Sequence, residues 1–319
     1  MPLVSVCIPT HNTARYLPEA IDSVLGQDFE DYELVVCDNA SNDGTSEICA
    51  QYADVRFRYL RFDEKLNQAG SFNRCLQNAR GQYITILHAD DCLLPGFIAD
   101  RVKRLSDSPA AGFAFGAVRI IDEVSEPVST KPPFSEDKLF NRGELLDALV
   151  CGCVVCPPSL MFRKSAADCV GPFRTDLTWG HDWEWALRLA EHFPCIYASS
   201  PAAAYRVHDD SGTAEVLSAA KNGSQERLIL RETLSRLERN DRRRDGLRAR
   251  AFKALARRHM NFGEQSLLAG HTAVARYNLW YAALADPLML VRPTFWAILL
   301  GSLGPPSMYG GYRKLRDAI

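Results

Sequence analysis

Between Leu3 and Leu87 the chain repeatedly changes its hydrophobic period. Leu3 to Ile8 is a short apolar run rich in β-branched residues, and Pro9 ends it. Ala14 to Leu25 then carries Leu17, Ile21, Val24 and Leu25 at helical spacing. Tyr32 to Cys37 is a second strand run, followed by the polar turn Asp38 to Gly44 and a helix opening at Thr45. Val55 to Leu60, Gly70 to Ala79 and Tyr83 to Leu87 continue the series as strand, helix and strand. Alternation at this spacing predicts an α/β fold with a mostly parallel central sheet and helices on both faces.

In such a sheet, ligands bind beyond the carboxyl ends of the strands. The polar clusters fall there: Thr10-His11-Asn12 after the first strand, Asp38-Asn39 after the second, His88-Ala89-Asp90-Asp91 after the fourth. Adjacent carboxylates at the end of an apolar strand cost free energy unless a positive group sits between them. A hard divalent cation suits Asp90 and Asp91, because it bridges carboxylate and phosphate oxygens; the plainer alternative is a solvated turn. Asp38 reads either as a turn residue bonding its own backbone or as an acceptor for a base or ribose. Asp43 reads as the helix cap before Thr45. Pro9-Thr10-His11-Asn12 stands where a dinucleotide-binding fold would have its Gly-rich turn, which argues against that fold.

The second half is less regular. Gly112 to Ile121 reads as a strand, Pro127 to Ser135 as a surface loop, Ser159 to Phe162 as a short apolar run, Trp183 to Ala190 as a helix and Ala202 to Val207 as a last strand. After about Ser211 helical patterns take over: 224–238, 249–262 and 272–285, the last two forming a hairpin at Gly270. Arg242-Arg243-Arg244 opens a basic stretch, and Leu288 to Leu303 is apolar but interrupted by Arg292-Pro293, too short to span a bilayer. With 319 residues, a catalytic domain over 1–212 (donor half about 1–105, acceptor half about 106–212) and an all-helical extension over 213–319 are expected.

A net charge of -2 gives no global case for nucleic-acid binding. Ten cysteines in so long a chain do not suggest a disulfide framework, and several, such as Cys7 and Cys37, lie in apolar strand runs and read as small hydrophobes. Cys151, Cys153 and Cys156 lack a fourth zinc ligand and belong to an apolar segment running into Pro157-Pro158. The first residues read as a buried strand and not as a signal peptide, so reduced thiols and a cytoplasmic setting are expected.

In order along the chain, Val6 to Asn12, Ser23 to Gln27, Val36 to Thr45, Asn67 to Gly70, Asn73-Arg74, Ala79-Arg80-Gly81 and Leu87 to Asp91 together resemble glycosyltransferase family 2. Gly171-Pro172-Phe173, His181-Asp182-Trp183-Glu184, Arg188-Leu189 and Tyr205-Arg206-Val207-His208 extend the resemblance over about two-thirds of the chain. The resemblance implies the GT-A (Rossmann-like) fold, an inverting transferase, a nucleotide-sugar donor (a UDP- or dTDP-sugar ahead of a GDP-sugar) and Mg²⁺ or Mn²⁺. By matched position it places Pro9, Thr10, Asn12 and Asp38 at the nucleoside, with Asn67 and Arg74 as further donor contacts. Asp90 would meet the ribose or the metal, Asp91 the metal, and His208 the metal and diphosphate. Asp182, which its local sequence alone reads as a helix cap, would be the general base. Trp179, His181 and Trp183 would border a saccharide or lipid-linked acceptor, since aromatic faces suit sugar rings, with core packing an equal reading for Trp183 and Trp185.

The chain departs from the pattern at His88, where the family often has Asp, and at His181, where it often has Glu. Metal ligation is therefore expected to rest on Asp90 and Asp91. A role in cell-surface polysaccharide or lipid-linked oligosaccharide synthesis follows. The basic, amphipathic C-terminal third reads either as a solvated helical face covering the catalytic domain or as a peripheral contact at the cytoplasmic face of the inner membrane, aided by Phe295, Trp296 and the Leu288 to Leu303 stretch. The competing readings are a sugar nucleotidyltransferase, whose Gly-rich phosphate loop is missing here, and a non-catalytic binding homologue.

Overall fold

Every residue of β1 (Val4–Thr10) except Pro9 is buried, because its neighbours β2 (Tyr32–Asn39) and β4 (Tyr83–Ile86) flank it in parallel. A strand covered on both faces needs a continuous apolar run, which is what Val-Ser-Val-Cys-Ile supplies. Its single serine is satisfied: Ser5 Oγ donates to Glu33 Oε1 at 2.7 Å and accepts from the Gly81 N–H at 2.8 Å.

The computed structural model describes residues 1–208, 222–240 and 246–304, apart from the side chains of 238–240. The expected domain boundary at 212 and the run Arg242-Arg243-Arg244 lie outside the described residues. The chain divides into two compact units, one of residues 1–149 and 153–208, the other of 150–152 with the described part of 209–319.

In the first unit, ten strands form one sheet among the described residues. Its order is β3 (Phe57–Phe62), β2, β1, β4, β9 (Met161–Arg163), β6 (Phe113–Ile121), β10 (Cys195–Arg206) and β5 (Cys92–Leu93). β3-β2-β1-β4 are parallel; β9 then runs antiparallel to both β4 and β6, while β6 and β10 are again parallel. Helices α1 (Leu17–Leu25), α2 (Thr45–Cys49) and α3 (Gln68–Asn78) are the crossovers of the parallel part. α1 buries Leu17, Ala20, Ile21 and Val24 against the sheet, each large side chain contributing about 1.5–3 kcal/mol of transfer free energy.

The sequence reading missed α4 (Phe97–Asp107). It buries Phe97, Ile98 and Leu105, but also Arg101, whose side chain is wholly inside beside Phe97, so a charged residue interrupts the apolar stripe. The expected surface loop at Pro127 is corrected: β7 (Pro127–Lys131) pairs antiparallel with β6. All five of its residues are exposed, so backbone hydrogen bonding alone defines the strand. β8 (Lys138–Phe140), α5 (Leu146–Leu149), a 3₁₀ turn (Pro157–Ser159), α6 (Lys164–Val170) and α7 (His181–His192) complete the unit.

The second unit contains α8 (Asn222–Asn240), α9 (Leu247–Leu268), α10 (Thr272–Ala285), a 3₁₀ helix (Pro287–Val291) and α11 (Pro293–Leu303). α9 and α10 form the expected hairpin, turned at Gly270 with φ +82. Ala256, Met260, Leu267, Leu279, Met289 and Ile298 form its core. Among the described residues, no helix is long and apolar enough to cross a membrane.

Candidate active site

Beyond β4 the chain turns so that the Asp91 N–H donates to the His88 carbonyl at 3.1 Å, which places His88, Asp90 and Asp91 on one side. One ligand atom from each of these three lies within 4.8 Å of the others. Asp91 is 1% exposed; its Oδ1 accepts from the Arg206 N–H at 2.9 Å, and its buried Oδ2 makes no hydrogen bond but faces His88 Nδ1 at 3.4 Å. His208 Nε2 meets Asp90 Oδ2 at 3.1 Å, with its ring 4.8 Å from that of Tyr16.

Burial pushes the Asp91 carboxyl up to about 6, against the pull of His88. Burial opposes a charge on His88 too, but the nearby Asp91 carboxylate and the charges of Asp90 and Asp182 prevail and push it up to about 9. The departure at His88 thus puts an imidazole nitrogen 3.4 Å from Asp91 Oδ2 within the acidic cluster. Among the described residues this is the one group of three or more such side chains arranged for a metal ion, so Cys151, Cys153 and Cys156 form none.

The neighbouring rim is built from the ends of β1 and β2. Asn12 stands in the left-handed region at φ 54, where its Oδ1 accepts from the Asn42 N–H at 2.9 Å and its own N–H donates to Ser41 Oγ at 3.0 Å. Thr10 Oγ1 is 2.6 Å from Thr13 Oγ1, and the half-buried Pro9 precedes it. Asp38 is fully buried; Oδ1 accepts from the Ser41 N–H at 2.9 Å and Oδ2 from the Tyr59 hydroxyl at 2.5 Å, with Arg61 at 3.3 Å. Asp43 accepts from the Thr45 hydroxyl at 2.6 Å, beside the Gly44 that precedes α2. Asn67 caps α3 through the Gly70 N–H at 2.9 Å and donates to the Thr175 carbonyl at 2.7 Å. Arg74 donates to Asn39 Oδ1 at 2.7 Å, and Asn39 in turn exchanges two hydrogen bonds with Leu66.

α7 begins after Gly180, which has φ +70, and carries Asp182 in its first turn. Asp182 is half-buried, and its Oδ1 accepts from the Trp183 N–H at 2.8 Å. It borders an apolar cavity of about 20 Å³ with Phe72, Phe173 and Trp185. Phe72 joins the two halves of the site: it stacks on His88 at 5.4 Å and meets the buried His181 edge-on at 5.2 Å. Burial lowers the affinity of His181 for a proton. Asn73 fixes the approach to α7 by accepting from the Phe173 N–H at 2.8 Å and donating to its carbonyl at 2.9 Å.

One acceptor-side expectation is corrected. Trp183 is 3% exposed and spends its indole N–H on the Leu149 carbonyl at 2.7 Å, so it is a core residue and offers no face to a sugar. Trp185 is buried likewise, whereas Trp179 is half-buried in the loop before Gly180. The sequence motif Tyr205-Arg206-Val207-His208 contains Arg206 but gave it no role. Its buried guanidinium donates to the Asp90 carbonyl at 2.8 Å, the Asp122 carbonyl at 3.0 Å, Ser125 Oγ at 2.9 Å and Glu19 Oε2 at 2.6 Å.

Residues 5–171, more than half of the chain, match the sequence model of glycosyl transferase family 2. The chain belongs to this family. This glycosyltransferase is 29% identical over 239 residues to the uncharacterized protein MT1568 of Mycobacterium tuberculosis, covering 72% of this chain and 75% of that one. It is 29% identical to the uncharacterized glycosyltransferase RT0329 of Rickettsia typhi, covering 66% of each chain and thus just under two thirds of the relative. It is 26% identical to TuaG of Bacillus subtilis, a glycosyltransferase named for teichuronic acid biosynthesis, covering 69% of this chain and 85% of that one.

Two solved structures show the fold. S. aureus TarS in complex with UDP-GlcNAc has a TM-score of 0.58 at 16% identity, covering 92% of this chain and 93% of that one. The mannosyltransferase PcManGT of Pyrobaculum calidifontis, in complex with GDP-Man and Mn²⁺, has a TM-score of 0.57 at 19% identity, covering 95% and 86%. The fold of this glycosyltransferase is therefore GT-A, with the acidic cluster at the end of its fourth strand.

Proposed function

We propose that this glycosyltransferase moves a sugar, with inversion, from a nucleotide-diphosphate sugar to an acceptor hydroxyl. The observation that carries the reading is the pairing of an acidic cluster containing a buried, unbonded carboxylate oxygen with a second carboxylate across the ring of Phe72. Asp182 takes the proton of the acceptor hydroxyl as that oxygen bonds the anomeric carbon, and the bond from this carbon to the diphosphate breaks on the opposite side. The nucleoside diphosphate leaves with the bonding pair.

Asp90 and Asp91, with His88 or His208 beside them, fit a divalent cation: the Asp91 Oδ2 is buried without a hydrogen bond, and the three grouped ligand atoms lie within 4.8 Å. Mg²⁺ or Mn²⁺ bound there would supply charge stabilisation to the leaving diphosphate. Asp38, Asn12 and Thr10 form the rim that receives the nucleoside, and the PcManGT and TarS complexes support a nucleotide-sugar donor. A UDP- or dTDP-sugar remains our preferred donor. The acceptor is a saccharide or lipid-linked saccharide of a cell-surface polymer, a reading supported by the TuaG relationship. We place the enzyme at the cytoplasmic face of the membrane, in peripheral contact.

Thermal shift with a panel of nucleotide sugars, with and without Mn²⁺ or Mg²⁺, tests the donor site. A donor present at about 100 times its Kd stabilises the native state by about 2.7 kcal/mol. Asp91→Asn should abolish the cation-dependent part of that shift. No response to any nucleotide sugar by the unaltered protein would refute the reading.

A further inference from the structure

α11 differs from the other long helices in carrying no charged residue, yet one of its sides meets solvent. Phe295, Ile298, Gly301 and Ser302 are buried, whereas Trp296, Leu300 and Leu303, at i, i+4 and i+7, are 48%, 63% and 67% exposed. A helix apolar on all sides is normally covered on all sides. The preceding 3₁₀ helix extends the exposed face: Leu288 and Val291, at the i, i+3 spacing that eclipses side chains in this geometry, are 67% and 77% exposed. The Trp296 indole N–H donates to the Leu290 carbonyl at 2.7 Å, which fastens the two segments into one surface.

From Pro287 to Leu303 the only charge is that of Arg292. Arg292 and Arg257 stand at a cavity of about 160 Å³ within the same unit, with Met260, Met289 and Ile298 among its apolar lining and Glu264 its acidic member. A large apolar face with cations at its border matches an anionic bilayer surface: side chains enter the acyl boundary while the arginines meet headgroup phosphates. Aqueous solvent suits this face poorly, and the length of α11 rules out a span.

We infer that the exposed face of the 3₁₀ helix and α11 is a membrane-docking surface. It inserts Leu288, Val291, Trp296, Leu300 and Leu303 into the interface and receives an anionic lipid phosphate between Arg257 and Arg292. This inference names the face and the lipid chemistry behind the peripheral contact proposed above, and it rests on that reading. It also revises the expectation drawn from sequence, since Phe295 is buried in the helical core and cannot insert.

The test is flotation of the full chain with phosphatidylcholine vesicles, with and without phosphatidylglycerol, together with quenching of tryptophan emission by brominated lipid. The protein should float with phosphatidylglycerol vesicles and its emission should be quenched. Trp296→Ser with Leu300→Ser should weaken binding about tenfold or more, and Arg257→Gln or Arg292→Gln about fivefold each, the latter only on anionic vesicles. All three variants alter exposed residues and should keep the donor-dependent thermal shift in vesicle-free solution. Equal binding to phosphatidylcholine alone would overturn the anionic assignment. No flotation, or a dimer that these variants dissociate, would overturn the docking surface while leaving the transferase reading intact. Loss of the donor response in the unaltered protein would instead refute the transferase.

Discussion

Arg206 holds Asp91 and Asp90 with different parts of itself: its backbone N–H reaches Asp91 Oδ1 at 2.9 Å, and its guanidinium reaches the Asp90 carbonyl at 2.8 Å. β10 thereby sets the backbone of the acidic turn, and Glu19 on α1 balances the charge at 2.6 Å. Arg206→Met should leave carbonyl groups buried without donors and cost about 3 kcal/mol in urea unfolding. Arg206→Lys should recover part of that loss. In both variants the cation concentration needed for half-maximal transfer should rise; unchanged cation dependence would separate the network from the site.

Asp182→Asn should lower kcat by about 10²–10⁴-fold while donor affinity, read by the thermal shift, stays the same. The Oδ1 acceptor for the Trp183 N–H survives in the amide, so α7 should begin as before. Full transfer by this variant would assign the base elsewhere.

Gly81 answers to space and not to backbone conformation. A Cβ there would stand 2.5 Å from Ser5 N and 2.6 Å from Val4 C, both backbone atoms at the start of β1. Gly81→Ala should therefore destabilise the sheet by about 1–3 kcal/mol, read as a lower urea midpoint at constant slope.

Asp137 supplies a pH dependence distinct from the site. The Ser199 N–H at 2.8 Å, the Ser199 hydroxyl at 2.7 Å and Arg104 at 2.8 Å pull its carboxyl down from 3.8 to about 2. A carboxyl with a depressed folded pKa adds stability that is complete above the unfolded value and disappears as pH falls through the folded one. Between pH 4 and 2, Asp137→Asn should lose stability less steeply than the unaltered chain. Parallel curves across that window would remove Asp137 from the acid response.

The parallel half of the sheet was legible because β1, β2 and β4 are buried on both faces and their connecting helices bury one, so the hydrophobic period changes at each boundary. α4 was hidden because Arg101 occupies an interior position of its apolar stripe. β7 was hidden because a strand with five exposed residues leaves no side-chain pattern. The positions of Asp38, Asp90 and Asp91 at strand ends, and of Asp182 at the start of a helix, were legible from the changes of hydrophobic period. The role of Arg206 was not, since its partner Glu19 lies 187 positions away. Trp183 was left between two readings because an aromatic beside an acid looks the same in sequence whether it faces a sugar or Leu149.

The paired hydrogen bonds between Asn73 and Phe173 have a consequence for where Asp182 can stand. They tie the loop leading to α7 onto α3, and Asn67 adds a second tie at Thr175. Within the loop Leu177 is buried and Asp176 pairs with Arg174 at 2.6 Å, so little of it is left to swing. A helix whose lead-in is held at both ends starts from one place, and the carboxylate in its first turn inherits that position from α3.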